Sequence, residues 1–192
     1  RYAAAVLPGL APMAAALELG AADADALRRR VADDLAALRA RGADPVGMTL
    51  VHGDPNPGNV LAPVSGDGPA LLLDRQPFDW SLTRWLGAYD LAYAMAVWWP
   101  SETRAAWEPA AVSAWHAGLE ARGVRGYPIG RAWDDWRLAV AQCLHVPIEW
   151  CADPQAVSGM RWVWEPQWRR LSDALDLWGA ASGAGPPASS SP

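Results

Sequence analysis

Apolar positions recur along this chain mostly at helical spacing and at strand spacing in one short region. Residues 9–20 are rich in Ala and Leu and fit a helix. Asp23 or Asp25 then caps a helix in which Leu27, Val31, Leu35 and Leu38 recur at spacings of four, four and three, and Gly42 stops it. After Pro45 the pattern changes. Met48-Thr49-Leu50-Val51 reads as a short buried strand, with Val60-Leu61 and Leu71-Leu72-Leu73 as two more. Ser65-Gly66-Asp67-Gly68 supplies turn residues between the latter pair and predicts a hairpin. From Ala88 onward helical spacing returns, first in Leu91, Met95 and Trp98, then in Trp107, Ala111, Trp115 and Leu119. A further helix carries Trp133, Trp136, Val140 and Leu144 and ends or kinks at Pro147. The last carries Met160, Trp164, Trp168, Leu171, Leu175 and Trp178. The expected class is therefore α+β and mostly helical, with a disordered Ser/Gly/Pro/Ala-rich tail over 180–192.

Composition narrows what such a chain does. Of 192 residues, 52% are hydrophobic, enough for a core, and the formal charge is −5. All 16 basic residues are Arg, and Arg28-Arg29-Arg30 falls within a helical pattern, so a solvated face accounts for it. A net acidic chain lacks the basic surface that phosphate backbones require, which argues against nucleic-acid binding. No apolar run reaches the roughly 18 residues a membrane span needs; Leu91 to Trp99 is the nearest and is flanked by Asp90 and Pro100. No secretory pattern is visible at the start, and Cys143 and Cys151 read as small buried residues, so a cytoplasmic setting is expected.

The residues with chemical potential cluster in the β region, in the run Val51-His52-Gly53-Asp54-Pro55-Asn56-Pro57-Gly58-Asn59-Val60-Leu61. Two Pro and two Gly prescribe this loop tightly, which is how a short catalytic side chain is held in place. Asp74 ends the triple-leucine strand, and a hairpin would bring it to the same mouth as Asn59. An amide oxygen and a carboxylate are hard ligands suited to Mg²⁺, which completes its shell with phosphate oxygens. Asp54 could then accept a substrate hydroxyl's proton, the arrangement that phosphoryl transfer uses. Asp and Asn also favour loops through turn chemistry alone, and that reading stands beside the catalytic one for each residue taken singly.

His52-Gly53-Asp54, four residues and Asn59 resemble the H-G-D-x-x-x-x-N catalytic loop of the aminoglycoside phosphotransferase/choline kinase-like family, which has a protein kinase-like fold. Four fixed residues in that window would arise in roughly one random chain per thousand. Asp90-Leu91-Ala92 resembles that family's D-L-A segment, so the resemblance runs from about His52 to Tyr93. It implies Asp54 as catalytic base, His52 as an organiser of the catalytic loop, Asn59 and Asp74 as ligands of Mg²⁺ and the nucleotide (ATP or GTP), and Asp90 as a structural brace. The family usually places an aromatic after the metal-binding Asp, whereas Arg75 stands here; Asp79-Trp80 makes Asp79 the runner-up for the metal position.

The resemblance also implies a glycine-rich cover and a strand lysine over the phosphates. The chain has no G-x-G-x-x-G and no lysine, and the roughly 50 residues before His52 read as helices. The expectation is thus a kinase-like C-terminal lobe over 1–179, with the catalytic loop at 51–61, the metal-site strand end at 71–76, a helical subdomain at 88–179, and no N-terminal nucleotide-binding lobe. The implied activity is transfer of the γ-phosphoryl group to a hydroxyl of a small molecule, one that could carry an amine. Thirteen of 18 aromatics are Trp, and a subset facing a pocket would attract a cationic amine. Asp134, Asp135, Glu149, Asp153 and Glu165 are weaker candidates for that amine, a solvated helix face or a cap being the favoured reading for each. Two rivals remain: a catalytically incomplete kinase-like binding module, and a metal-dependent hydrolase using His52, Asp54 and Asp74. The acceptor and the oligomeric state are not legible.

Overall fold

The computed structural model describes residue 4, residues 6–74 and residues 82–177. Arg75, Asp79, Trp80, Trp178 and the tail over 180–192 lie outside the described residues. A 3₁₀ turn at Leu7–Gly9 leads into α1 (Leu10–Ala16), followed by α2 (Ala21–Gly42). The β region contains β1 (Met48–Val51), a 3₁₀ turn at Pro57–Asn59, β2 (Val60–Leu61), β3 (Leu71–Leu72) and β4 (Thr83–Leu86). Helices complete the fold: α3 (Tyr89–Ala92), running into a π-helical turn at Tyr93–Val97, α4 (Ser101–Ala121), α5 (Ile129–Gln142), α6 (His145–Trp150), α7 (Pro154–Gly159) and α8 (Arg161–Ala174). The chain is α+β and mostly helical, as its patterning predicts.

Two antiparallel pairs make up the strands. β2 and β3 form the expected hairpin, with Val60 opposite Leu72 and Leu61 opposite Leu71. β1 pairs with β4, Met48 opposite Leu86 and Val51 opposite Thr83, so the hairpin is inserted between the two strands of the other ribbon. The expectation of buried strands is corrected. In β1 only Val51 is buried, and Leu61, Leu71 and Leu72 are each more than half exposed. A ladder of two residue pairs is too short to set one face against the helices, so its leucines stay at the surface.

One apolar core joins all the helical elements. Met95 and Val97 of the π-helical turn, Trp136 of α5, Leu144, Ile148 of α6, and Trp164 and Leu171 of α8 are at most 1% exposed within it. Several helix details differ from the sequence reading. α2 is capped by Gly20 rather than by Asp23 or Asp25; Asp23 sits in its first turn, where a carboxylate suits the positive end of the helix dipole. On α4 the buried positions are Val112 and His116, while Trp107 is exposed. The helix containing Trp136 ends at Gln142, and Pro147 lies in the first turn of α6, where a missing N–H costs little. The last predicted helix is α8, which begins directly after Met160 and ends at Ala174, whereas α7, before Met160, was not read from the sequence. Among the described residues no helix is long and apolar enough to cross a membrane.

Candidate functional site

The loop from His52 to Asn59 leaves β1 at its one buried position, Val51, and is fastened by side chains rather than by a strand ladder. Gly53 adopts φ +92°, a region glycine enters without strain. The Asp90 carboxylate on α3 accepts both neighbouring amides, His52 N–H at 2.7 Å and Gly53 N–H at 2.9 Å. Two charge-assisted bonds to consecutive amides fix the turn that aims Asp54. The expected bracing by Asp90 therefore has a specific form.

His52 uses both ring nitrogens within the loop region. Nε2 donates to the Leu73 carbonyl at 2.9 Å, and Nδ1 accepts the Asp54 amide at 3.3 Å. A carbonyl can only accept, so Nε2 carries a proton. The Leu73 amide in turn donates to the Asn59 carbonyl at 2.8 Å. Leu73 is thereby held on both sides, and Asp74 follows it in the left-handed region at φ +58°, which Asp tolerates better than most residues.

The Asp54 carboxylate is half-buried and receives three side-chain donors. Oδ1 accepts Tyr93 O–H at 2.8 Å and Asn56 Nδ2–H at 3.0 Å; Oδ2 accepts Asn59 Nδ2–H at 3.2 Å. Asn59, 8% exposed, also donates Nδ2 to the Asp54 carbonyl at 2.9 Å, which leaves its Oδ1 as the side-chain atom available to a cation. Asn56 caps the Pro57–Asn59 turn by accepting Gly58 N–H at 2.9 Å. Burial, the negative Asp54 beside it and its hydrogen bond to that carboxylate all raise the Tyr93 phenol above its ordinary range, so it remains a donor.

Sequence reasoning singled out His52, Asp54, Asn59, Asp74 and Asp90, and the fold brings the first three and the last into one hydrogen-bonded unit. Asp74 joins it through the backbone of Leu73; Asp79 lies outside the described residues. Two contributors were missed. Asn56 was visible in principle, because Asn-Pro-Gly is an Asx-turn sequence. Tyr93 follows Asp90 by three residues, which places both on one helix face, but its reach depends on a π-helical turn that no local pattern announces. Among the described residues no group of three or more His, Cys, Asp or Glu side chains is arranged to hold a metal ion. A cation here would rest on Asn59 Oδ1 and Asp74, a set of hard oxygens that fits Mg²⁺ only with further ligands from phosphate and water.

The remaining acidic candidates have other partners. Asp135 was expected on a solvated face but is 2% exposed, where it accepts Arg41 in bidentate fashion at 2.6 and 2.7 Å and Tyr127 O–H at 2.7 Å. Arg41 also donates to the Val46 carbonyl, so this cluster anchors the start of β1 to α2 and α5. Asp153 caps α7 through Gln155 N–H, and Glu165 pairs with Arg161 and Arg169. Asp134 pairs with exposed Arg137. Comparisons with protein-family models, with curated proteins and with solved structures found no match.

Proposed function

We propose that this chain carries the catalytic loop of a small-molecule phosphotransferase resembling the aminoglycoside phosphotransferase/choline kinase-like enzymes. What supports this reading is a single observation: the Asp54 carboxylate is oriented by Tyr93, Asn56 and Asn59 within a loop whose backbone Asp90 clamps. Such preorganisation is what a general base needs, and surface Asp residues in ordinary turns lack it. Oδ1 already accepts two donors, so Oδ2 is the oxygen better able to take a proton.

In the proposed reaction the acceptor's hydroxyl oxygen forms a bond to the γ-phosphorus of ATP or GTP as the bond to the β-γ bridging oxygen breaks. The hydroxyl proton passes to Asp54, and the nucleoside diphosphate leaves with the bridging oxygen. Bound Mg²⁺ would supply charge neutralisation at the phosphates, held by Asn59 and Asp74. His52 keeps the loop and the residue before Asp74 in register. The chain contains no lysine, so this reading requires a nucleotide-binding lobe from another polypeptide segment, and a cytoplasmic setting goes with it. The acceptor would be a small molecule with a hydroxyl group, an amine-bearing one included.

The absence of lysine also favours a second reading, a kinase-like binding module that takes up ligand without transfer. Calorimetry with Mg²⁺-ATP and Mg²⁺-GTP, together with a transfer assay over aminoglycoside, choline, sugar and homoserine hydroxyls, separates the two when run on the chain alone and on the chain joined to a nucleotide-binding lobe. With that lobe present, the phosphotransferase reading expects transfer that Asp54→Ala abolishes with nucleotide binding retained, and nucleotide binding that Asp74→Ala weakens. Nucleotide binding without transfer supports the module. Wild-type turnover in both variants overturns the assigned roles.

A further inference from the structure

Helix α3 does not run on with α spacing. At Tyr93–Val97 it widens into a π-helical turn, whose hydrogen bonds span five residues instead of four. Tyr93 opens this turn and donates to Asp54 Oδ1 at 2.8 Å; Val97, 0% exposed, closes it. Pro100 then takes the chain out of helical geometry at ψ 142°, so the Val97 carbonyl lacks the amide one turn ahead that a continuing helix supplies. Arg170 of α8 fills that place, donating Nη1–H to the Val97 carbonyl at 3.0 Å across 73 residues. Its neighbour Arg169 pairs with Glu165 at the surface, whereas half-buried Arg170 turns its guanidinium to the backbone. A cation suits the negative end of a helix, and a charged donor is roughly twice as strong as a neutral one. Trp98, the next residue, adds a cost: its indole Nε1 is buried with no hydrogen-bond acceptor.

We propose that Arg170 is a positioning residue for Asp54: it pins the closing carbonyl of the π-helical turn and, through that turn, holds the Tyr93 hydroxyl on the Asp54 carboxylate. A π turn is rare on its own account, so one that persists is held by tertiary contacts. Return to α spacing would rotate the residues on either side of the turn by about 100° relative to each other, one residue's share of a 3.6-residue turn. The Tyr93 hydroxyl would then leave Asp54. Asp90 precedes the turn, so its two amide contacts do not pass through Arg170. The loop backbone therefore stays clamped while the carboxylate loses its orientation. The inference rests on the phosphotransferase reading for the role of Asp54 in transfer, but the mechanical link from Arg170 to Tyr93 stands apart from it.

Carbon-13 NMR of the aspartate carboxyl groups in the full chain reads the link directly. The Asp54 signal is assigned by its loss in Asp54→Asn, and Tyr93→Phe gives the shift that follows loss of the phenol donor. Arg170→Met, which keeps an apolar stem and deletes the donor, should move the Asp54 signal in that same direction. Arg170→Lys, which keeps a charged donor, should restore most of the parent position, and Arg169→Met, at the exposed pair, should leave the signal in place. Added to Tyr93→Phe, Arg170→Met should produce no further movement, because its effect runs through the phenol. The amides of His52 and Gly53 should keep their exchange protection in Arg170→Met. With a nucleotide-binding lobe joined to the chain, turnover should fall about fivefold with the KM for nucleotide unchanged. Should Arg170→Met not fold, Arg170→Gln, which keeps a neutral donor, is read in its place and should give a smaller shift in the same sense. An unmoved Asp54 signal in the folded variant, or a movement that persists undiminished without the Tyr93 hydroxyl, overturns the proposal. Absence of transfer by the parent chain with its lobe overturns the phosphotransferase reading instead, and the carboxyl signal still decides the link.

Discussion

Tyr93 donates its phenol proton to Asp54 Oδ1 at 2.8 Å, across 39 residues of sequence. The same face of one short helix carries Asp90, whose carboxylate holds the two amides before Asp54. One element therefore sets both the backbone and the carboxylate of the loop. Tyr93→Phe keeps the packed ring and deletes the donor. A hydrogen bond to a charged acceptor contributes about 1.5–3 kcal/mol, and the variant should lose that order of stability in urea denaturation. If Asp54 is a general base, turnover falls about tenfold with nucleotide affinity unchanged, because orientation and not binding is impaired.

Asp90→Asn tests the backbone clamp. Asn offers one oxygen where Asp offers two, so one of the amides of His52 and Gly53 faces a donor instead of an acceptor. Loss of charge-assisted bonds at two amides should cost about 2–3 kcal/mol. Hydrogen exchange provides the local measurement: the amides of His52 and Gly53 should exchange faster than in the parent chain, while those of α5 change little. Equal protection at both sites would show that the loop holds its shape without Asp90.

How much of this was legible in the sequence follows from the range of each interaction. The hairpin of Val60-Leu61 with Leu71-Leu72 was readable because turn residues and apolar pairs are local signals. β4 was not, since Thr83–Leu86 becomes a strand only by pairing with Met48–Val51, more than 30 residues away. The loop residues were found from their spacing, yet the reason Asp54 is held lies in Tyr93, whose contact is tertiary. Asp135 was misread for the same cause. A helix-face Asp beside a second Asp looks solvated until Arg41, 94 residues away, is known to reach it.

That buried pair carries its own expectation. Asp135 accepts Arg41 twice and Tyr127 once, and Arg41 is only 12% exposed. Asp135→Ala leaves a guanidinium and a phenol without their acceptor, a situation that costs about 3–5 kcal/mol when a buried ion pair loses one member. The urea midpoint should fall accordingly. The double variant Arg41→Met, Asp135→Leu should recover much of the loss, because the penalty comes from the unpaired charge and not from the absent salt bridge. Failure of the double variant to recover anything would mean that the Arg41 contacts to Asp44 and Val46 matter more than its charge balance.

Acid sensitivity should trace to His145. It begins α6, is 4% exposed, and burial pushes its imidazole from 6.5 down to about 4. The folded chain therefore holds this ring neutral over a range where the unfolded chain protonates it. Its contribution is complete above pH 6.5 and is lost as pH falls from 6.5 through 4, since the unfolded state then binds the extra proton. A shift from 6.5 to about 4 corresponds to at most about 3.4 kcal/mol. The thermal midpoint should drop across that interval, and His145→Gln, which cannot protonate, should flatten the drop without abolishing folding at pH 7. A parent chain and variant with parallel profiles between pH 4 and 6.5 would assign the acid response to the carboxylates instead.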